Sequence, residues 1–136
     1  MIQQGRKNYE NRNNVQFEQA DLNRGFPLAD EPPFDIYFLS YSSLSHLAPD
    51  KLQRLVEEIL NHAEPGAFIV LDIFGKYSLE WPKYWNESRT MLPYNMAYLI
   101  PPDSRGSIQW FDACYWSPSM LFQMLEAAAI KKNGIA

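Results

Sequence analysis

Two continuous apolar runs constrain the fold of this chain more than any other feature. The first run, residues 34–40, turns abruptly polar at Ser40, and the second covers residues 67–73. Apolar runs that do not alternate with polar residues favour strands covered on both faces, as in a parallel sheet. We therefore predict two buried strands, with the carboxyl end of the first strand at Ser40.

The segment between the two runs has the pattern of a helix that packs on a sheet. Pro49 suits the first helical position, because its ring presets φ and its missing N–H is not needed there. A strand–helix–strand unit of this size makes the strands parallel, and open α/β sheets bind ligands at the carboxyl ends of their strands. We therefore expect a ligand site beside Ser40. Apolar side chains recur every three or four residues along 49–63: Leu52, Leu55, Val56, Ile59, Leu60 and Ala63.

Shorter patterns predict the remaining elements. Residues 1–12 look like the end of a helix, and residues 15–20 alternate apolar and polar side chains as a half-buried strand does. Residues 93–100 and 107–115 are predicted to pair as a hairpin across a turn rich in Pro and Gly. Ser117 offers an N-cap hydroxyl for a last helix that extends to residue 129.

The composition excludes several classes of function. A net charge of −4 gives no electrostatic reason to expect nucleic acid as a partner. The apolar runs are too short to span a membrane, and the single cysteine, Cys114, excludes an internal disulfide and favours the cytoplasm. The six glycines are scattered and the two histidines are far apart. Neither a phosphate-binding loop nor a metal site is therefore predicted.

Several local motifs occur together in one known family. From residue 15 to residue 73, and again in the helix from Ser117, the chain resembles the middle and rear of a Rossmann-like, class I S-adenosylmethionine-dependent methyltransferase. In that family a strand ends in an acidic residue followed by a small or apolar one. A Phe-Asp strand then leads into a Leu-x-His-Leu-like turn, and a Pro-Gly turn precedes the next apolar strand. The corresponding residues here are Asp21-Leu22, Phe34-Asp35, Leu44-Ser45-His46-Leu47 and Pro65-Gly66.

The resemblance implies an α/β, Rossmann-like methyltransferase fold with a mostly parallel sheet, flanking helices and S-adenosylmethionine as methyl donor. It implies that Asp21 accepts a hydrogen bond from the adenine amino group, since an ionised carboxylate is only an acceptor, and that Leu22 packs on the ring. The alternative for Asp21 is a cap of the loop that follows. By the same resemblance Leu39, Ser40 and Tyr41 line the methionine end of the cofactor.

An aromatic-rich segment, residues 76–116, lies where methyltransferases of this type carry substrate-binding insertions. Its Tyr77, Trp81 and Trp85 are candidate substrate contacts, because aromatic faces suit planar or cationic acceptors. Asp72, near the carboxyl end of its strand, is a further candidate. The equally weighted alternatives are a satellite core for the aromatic residues and a turn cap for Asp72.

The sequence identifies no catalytic residue. Methyl transfer needs little from the protein beyond alignment of the acceptor with the sulfonium methyl group, so the absence of an acid–base pair is no objection. We interpret His46 as a half-buried structural histidine, with a catalytic-base role as the less favoured alternative. Asp35 lies at the opposite end of its strand from the expected site and is interpreted as structural.

By the same resemblance, the family's first strand, glycine-rich loop and ribose-binding acid would precede residue 1, and its last strands would follow residue 136. We therefore expect one partial, truncated methyltransferase domain over residues 1–136. It should bind its cofactor poorly or not at all and self-associate through unpaired strand edges. The expected methyl acceptor is a small molecule. Two alternatives stay open: a non-catalytic interaction module on this scaffold, and another α/β nucleotide-binding enzyme.

Overall fold

The computed structural model describes residues 2–75, 94–98 and 109–132, which form three helices, four strands and two short helical turns. No helix in these ranges has the length and apolar character needed to cross a membrane. The elements in chain order are helix α1 (Ile2–Asn8), a turn at Leu22–Arg24, strand β1 (Ile36–Leu39), a turn at Ser43–His46, helix α2 (Pro49–His62), strand β2 (Phe68–Leu71), strands β3 (Tyr94–Tyr98) and β4 (Gln109–Ala113), and helix α3 (Pro118–Lys132).

Strands β1 and β2 pair in parallel through the α2 crossover, as the sequence predicts. Ile36 lies opposite Phe68 and Leu39 lies opposite Leu71. The Asp72 amide continues the ladder by donating to the Leu39 carbonyl at 2.9 Å. The residues that follow the two strands therefore begin at the same edge of the sheet, where parallel sheets bind ligands.

Within the described residues, the sheet is covered on one face, whereas the sequence predicts cover on both. Tyr37 points towards α2 and is 5% exposed, while its neighbour Phe38 is 67% exposed. Successive side chains of a strand point to opposite faces, and α2 packs on only one of them. We call the other side of the β1–β2 sheet the open face; its exposed apolar side chains are Ile36, Phe38, Phe68 and Val70.

Helix α3 packs alongside α2 and completes the core on the covered side. Its N-terminus is capped as expected, with the Met120 amide donating to Ser117 Oγ at 3.3 Å. At the other end Lys132 Nζ donates to the carbonyl oxygens of Leu60 and Ala63, the latter at 3.1 Å. These carbonyls lie in the last turn of α2, where backbone acceptors have no partner within the helix. Buried apolar side chains from both helices form the core: Leu52, Leu55, Val56, Ile59, Met124 and Ala128.

The predicted strand at residues 15–20 is wrong. This segment is irregular, and no described strand lies beside it to complete a backbone ladder. It is instead held to the helix that precedes it: Arg6 Nη2 donates to the Phe17 carbonyl at 2.8 Å, and the Phe17 ring packs 5.8 Å from that of Tyr9. An alternating pattern marks a possible strand, but a strand forms only where neighbouring backbone accepts its hydrogen bonds.

The predicted hairpin is confirmed, and the chain after it returns to the parallel sheet. β3 and β4 are antiparallel, with Tyr94 opposite Ala113. Beyond β4 the Cys114 amide donates to the Ser45 carbonyl at 2.6 Å, and the Trp116 amide donates to the Phe74 carbonyl at 2.9 Å. The segment after β4 therefore packs against the loops that follow β1 and β2.

A hydrogen-bonded chain of four groups ties the loop before β1 to the end of α2. The Tyr37 hydroxyl accepts from the Phe34 amide at 3.1 Å and lies 2.6 Å from His62 Nδ1. His62 Nε2 lies 2.8 Å from the Glu31 carbonyl, which can only accept. Nε2 therefore carries the proton, and Nδ1 accepts from the Tyr37 hydroxyl. This chain fixes the loop against the core.

Candidate functional site

The Asp21 carboxylate lies on the surface and caps the Leu22–Arg24 turn. Its Oδ1 accepts from the backbone amide of Asn23 at 3.0 Å and from the Asn23 side-chain amide at 2.9 Å. Its Oδ2 lies 3.9 Å from Arg24 Nε. The hydrogen bonds from Asn23 hold the pKa of Asp21 below its usual value of 3.8, so the group is ionised at neutral pH. Asp21 therefore caps the loop that follows it, which is the alternative role given by the sequence. The cap uses mainly one carboxylate oxygen, Oδ1.

A glutamate on helix α2 fixes the position of this turn. Glu58 Oε2 accepts from the Phe26 amide at 2.6 Å, and Glu58 Oε1 forms an ion pair with Arg54 Nε at 2.7 Å. Gly25 is buried beneath it with φ of 113°, and a Cβ atom there would lie 2.2 Å from Glu58 Oε2. Partial burial alone raises the pKa of Glu58, but the Phe26 amide and the Arg54 guanidinium stabilise the carboxylate and lower the pKa overall.

Two of the predicted cofactor residues meet at one apolar cavity. Leu22, from the capped turn, and Leu39, the last residue of β1, both line a space of about 300 Å³. Asp21 lines a second cavity of about 310 Å³ that shares Phe26 and Pro27 with the first. The sequence-based prediction omits Phe26, although its place in a loop rich in Pro and Gly beside Asp21-Leu22 was a usable signal.

The chain after β1 forms a turn in an unusual backbone conformation. Tyr41 and Ser42 have φ values of 63° and 50°, in the left-handed region that L-residues seldom adopt. Asp72 Oδ2 accepts from the Ser42 amide at 3.0 Å, and Asp72 Oδ1 lies 3.4 Å from Ser42 Oγ. Ser43 Oγ donates to the Ser40 carbonyl at 3.0 Å. Asp72 therefore caps this turn, which is one of the two alternatives left open by the sequence.

His46 is exposed rather than half-buried, so that part of its interpretation is wrong. Its ring packs edge-on against Phe74, with ring centroids 6.1 Å apart. The preceding Ser45 is the buried polar residue of the turn, and its Oγ accepts from the Phe74 amide at 2.8 Å. His46 also lines a cavity of about 200 Å³ with Asn23 and Cys114.

The predicted substrate contacts Tyr77, Trp81 and Trp85 lie outside the described residues, as does most of the 76–116 segment. Among the residues that are described, no group of three or more His, Cys, Asp or Glu side chains is arranged to hold a metal ion. The candidate site is therefore made of the Leu22–Arg24 turn, the end of β1 and the turn that follows it.

Comparison with known proteins shows a family match and a similar fold. Residues 1–66 match a family described as a methyltransferase domain. The crystal structure of a S-adenosylmethionine-dependent methyltransferase from Clostridium acetobutylicum ATCC 824 has a similar fold, with a TM-score of 0.64 at 12% sequence identity. The chain has the class I methyltransferase fold.

The superposition with the Clostridium structure covers a larger share of this chain than of the other chain. The superposition covers 93% of this chain but 58% of the Clostridium structure, so the chain spans less than two thirds of that protein. No curated protein sequence matches the chain. The resemblance recognised in the sequence, and the Rossmann-like fold it implies, are confirmed by the family match and by the similar structure.

Proposed function

We propose that this chain is part of a methyltransferase that transfers the methyl group of S-adenosylmethionine to a small molecule. The observation that carries the proposal is the meeting of Leu22 and Leu39 at one apolar cavity, which runs along β1 as far as its carboxyl end. Such strand ends are the usual ligand site of α/β sheets. The donor and the reaction class come from the methyltransferase family and from the similar structure.

In this proposal the adenine ring of the cofactor lies against Leu22, and Asp21 accepts a hydrogen bond from its amino group. The carboxylate fits this role because it is ionised and exposed. Both hydrogen bonds from Asn23 go to Oδ1, so Oδ2 accepts no hydrogen bond from Asn23. The methionine end lies near Leu39, Ser40 and Tyr41. The Ser40 hydroxyl makes no hydrogen bond to another residue in the described ranges, which leaves it available to a ligand.

We further propose that the methyl acceptor is a small molecule rather than a nucleic acid, and that the reaction takes place in the cytoplasm. The net charge of −4 disfavours a polyanionic substrate. Tyr41 is 92% exposed beside the proposed methionine site and offers an aromatic face to a planar or cationic acceptor. Tyr77, Trp81 and Trp85 remain candidate contacts for that acceptor, and the single Cys114 suits a reducing compartment.

An NMR titration with S-adenosylhomocysteine, the demethylated form of the donor, tests the cofactor site because it detects even weak binding. We expect shift changes at the Leu22–Arg24 turn and at residues 39–42. The Asp21→Ala variant should bind roughly tenfold more weakly, as expected for the loss of a hydrogen bond to a charged group. Asp30→Ala, at another exposed aspartate, is the control and should bind as the wild type does.

A second variant of Asp21 distinguishes the loss of the turn cap from the loss of a hydrogen bond to the ligand. Asp21→Ser keeps an oxygen that can cap the turn but removes the charge, since Ser is also a favourable N-cap residue. If Asp21 binds adenine, Asp21→Ser should remain weak. Full recovery of affinity in Asp21→Ser would remove Asp21 from the cofactor site, and absence of saturable binding by the wild type would contradict the proposed function.

We also propose that the chain self-associates through the sheet. Within the described ranges β1 pairs only with β2, so its other edge presents backbone groups without strand partners beside the open face. An exposed strand edge is a template for another strand, and a two-fold axis would let the same edge pair with itself. Sedimentation should show a dimer or larger species that Phe38→Lys dissociates and Phe122→Lys, at an exposed position of α3, does not. A monomeric wild-type chain would contradict this proposal.

The open face also favours a second candidate function, a non-catalytic interaction module on the methyltransferase scaffold. Contiguous exposed apolar side chains are typical of surfaces that bind other proteins. The two functions differ in their response to the cofactor. A module of this kind would show no saturable shift changes with S-adenosylhomocysteine, whereas the methyltransferase would.

A further inference from the structure

We infer that Asp72 is a positioning residue for the cofactor site: its carboxylate holds the turn after β1 in the conformation that presents Ser40 and Tyr41 to a ligand. The inference rests on the proposed function, because it assigns a role within the same site. It differs from the substrate contact that the sequence suggests for Asp72, since the residue would act through Ser42 and not on the ligand.

The first argument is that both carboxylate oxygens of Asp72 face the same residue. Oδ2 accepts from the Ser42 amide at 3.0 Å, and Oδ1 lies 3.4 Å from Ser42 Oγ. The contact joins the ends of two neighbouring parallel strands, because Leu39 and Leu71 are opposite one another. Asp72 is therefore well placed to fix the first residues after β1.

The second argument is the backbone conformation that Asp72 holds. Tyr41 and Ser42 are consecutive non-glycine residues with φ of 63° and 50°. The left-handed region is unfavourable for L-residues, and it persists where the surrounding structure imposes it. The carboxylate of Asp72 is the side chain that bonds the Ser42 amide, so it stabilises this conformation directly.

The third argument is what the turn presents to solvent. Tyr41 is 92% exposed at the carboxyl end of β1, on the edge where the proposed cofactor lies. The Ser40 carbonyl accepts a hydrogen bond from Ser43 Oγ at 3.0 Å within the turn, and Ser40 itself is exposed. If the turn relaxed to an ordinary extended conformation, Ser40 and Tyr41 would be displaced from the strand end.

The test combines Asp72→Ala with Ser42→Gly, because glycine adopts positive φ without a steric penalty. Binding is measured with S-adenosylhomocysteine. We expect Asp72→Ala to weaken binding roughly tenfold, and Ser42→Gly in that background to restore part of the loss, since glycine removes the conformational cost at residue 42 while Tyr41 keeps its own. If Asp72 contacts the ligand itself, Ser42→Gly restores nothing, and that result would overturn the inference.

A control and a ligand-independent measurement complete the design. Asp72→Asn keeps an oxygen that can accept from the Ser42 amide, so it should bind nearly as well as the wild type. Weak binding by a folded Asp72→Asn variant would indicate a direct contact of the charge with the ligand and would overturn the inference, whether or not the alanine variant folds. Hydrogen exchange at the Ser42 amide should be slow in the wild type and fast in Asp72→Ala. Unchanged exchange would overturn the inference alone, whereas a wild type that shows the protected amide but no binding would overturn the proposed function.

Discussion

The Phe26 amide donates a 2.6 Å hydrogen bond to Glu58 Oε2, which ties the loop after Asp21 to the middle of helix α2. This bond adds a polar attachment to the apolar packing of Leu22 and Phe26 against the core. The proposed adenine contacts, Asp21 and Leu22, are at that turn, so Glu58 on helix α2 helps to fix their position. The stability of this attachment is therefore measurable separately from ligand binding.

Loss of the Glu58 carboxylate should destabilise the fold and change its response to acid. Glu58→Ala leaves the part-buried Phe26 amide without its acceptor, which costs about 1–3 kcal/mol. The folded-state pKa of Glu58 is lowered below its usual value of 4.5, so its contribution is complete above that pH and is lost as pH falls through the folded-state pKa. Urea unfolding between pH 3 and 7 should show a shallower acid decline in Glu58→Gln than in wild type.

The exposed Glu64 is the matched control for this experiment. Glu64→Ala removes a carboxylate near the same helix with no hydrogen bond to the Leu22–Arg24 turn, and should change stability by less than about 0.5 kcal/mol. The pKa of Glu57 is also lowered, chiefly by its hydrogen bond from Lys131, so Glu57 too contributes stability that is lost as the pH falls. Equal acid slopes in wild type and Glu58→Gln would show that the Phe26 contact does not stabilise the folded chain.

Alanine at Gly25 should be poorly tolerated, and Gly66 provides the comparison. Both glycines have positive φ, 113° at Gly25 and 99° at Gly66, so both substitutions carry the conformational cost. Only at Gly25 would the new Cβ atom lie 2.2 Å from Glu58 Oε2; at Gly66 it would meet nothing within 4 Å. Thermal unfolding should place Gly25→Ala at least about 1 kcal/mol below Gly66→Ala. Equal losses would mean that the Glu58 side chain moves aside freely.

Removal of the Tyr37 hydroxyl should break the hydrogen-bonded chain that holds the loop before β1. Tyr37→Phe keeps the buried ring but leaves the Phe34 amide and His62 Nδ1 without their partner. We expect a loss of about 1–3 kcal/mol in the free energy of unfolding. Tyr41→Phe removes a hydroxyl from a side chain that is 92% exposed and should be nearly neutral for stability. A neutral Tyr37→Phe would show that the hydrogen bonds of the Tyr37 hydroxyl do not stabilise the folded chain.

Lys132 should stabilise the end of α2 more than its exposed position suggests. Its ammonium group donates to the carbonyls of Leu60 and Ala63, and cations near a helix C-terminus contribute about 0.3–1 kcal/mol. Lys132→Met keeps most of the apolar stem and removes those hydrogen bonds. Lys131→Met removes an ion pair with Glu57 instead, so its smaller effect should fade in high salt. A salt-independent loss in Lys131→Met and none in Lys132→Met would reverse our assignment.

Local patterns in the sequence predict the local elements well. The three- and four-residue spacing from Pro49 predicts a helix over 49–63, and the helix is Pro49–His62. The alternation at 15–20 predicts a strand that does not form, since the pattern contains no information about a pairing neighbour. Gly25 and Glu58 are distant in sequence, so no local motif could have paired them. Asp72 is left undecided for the same reason, because its partner Ser42 belongs to the preceding strand–turn unit.

The contact between Asp72 and Ser42 has a consequence for the alignment of the sheet. A slip of one residue would turn the covered side chains of a strand to the open face, but a slip of two residues keeps each side chain on its own face, and ladder hydrogen bonds alone do not distinguish these two registers. A slip of β2 along β1 would carry the Asp72 carboxylate away from Ser42 and leave both oxygens without these bonds. The carboxylate therefore specifies which residues of the two strands face each other, and variants that remove it should be prone to misaligned pairing.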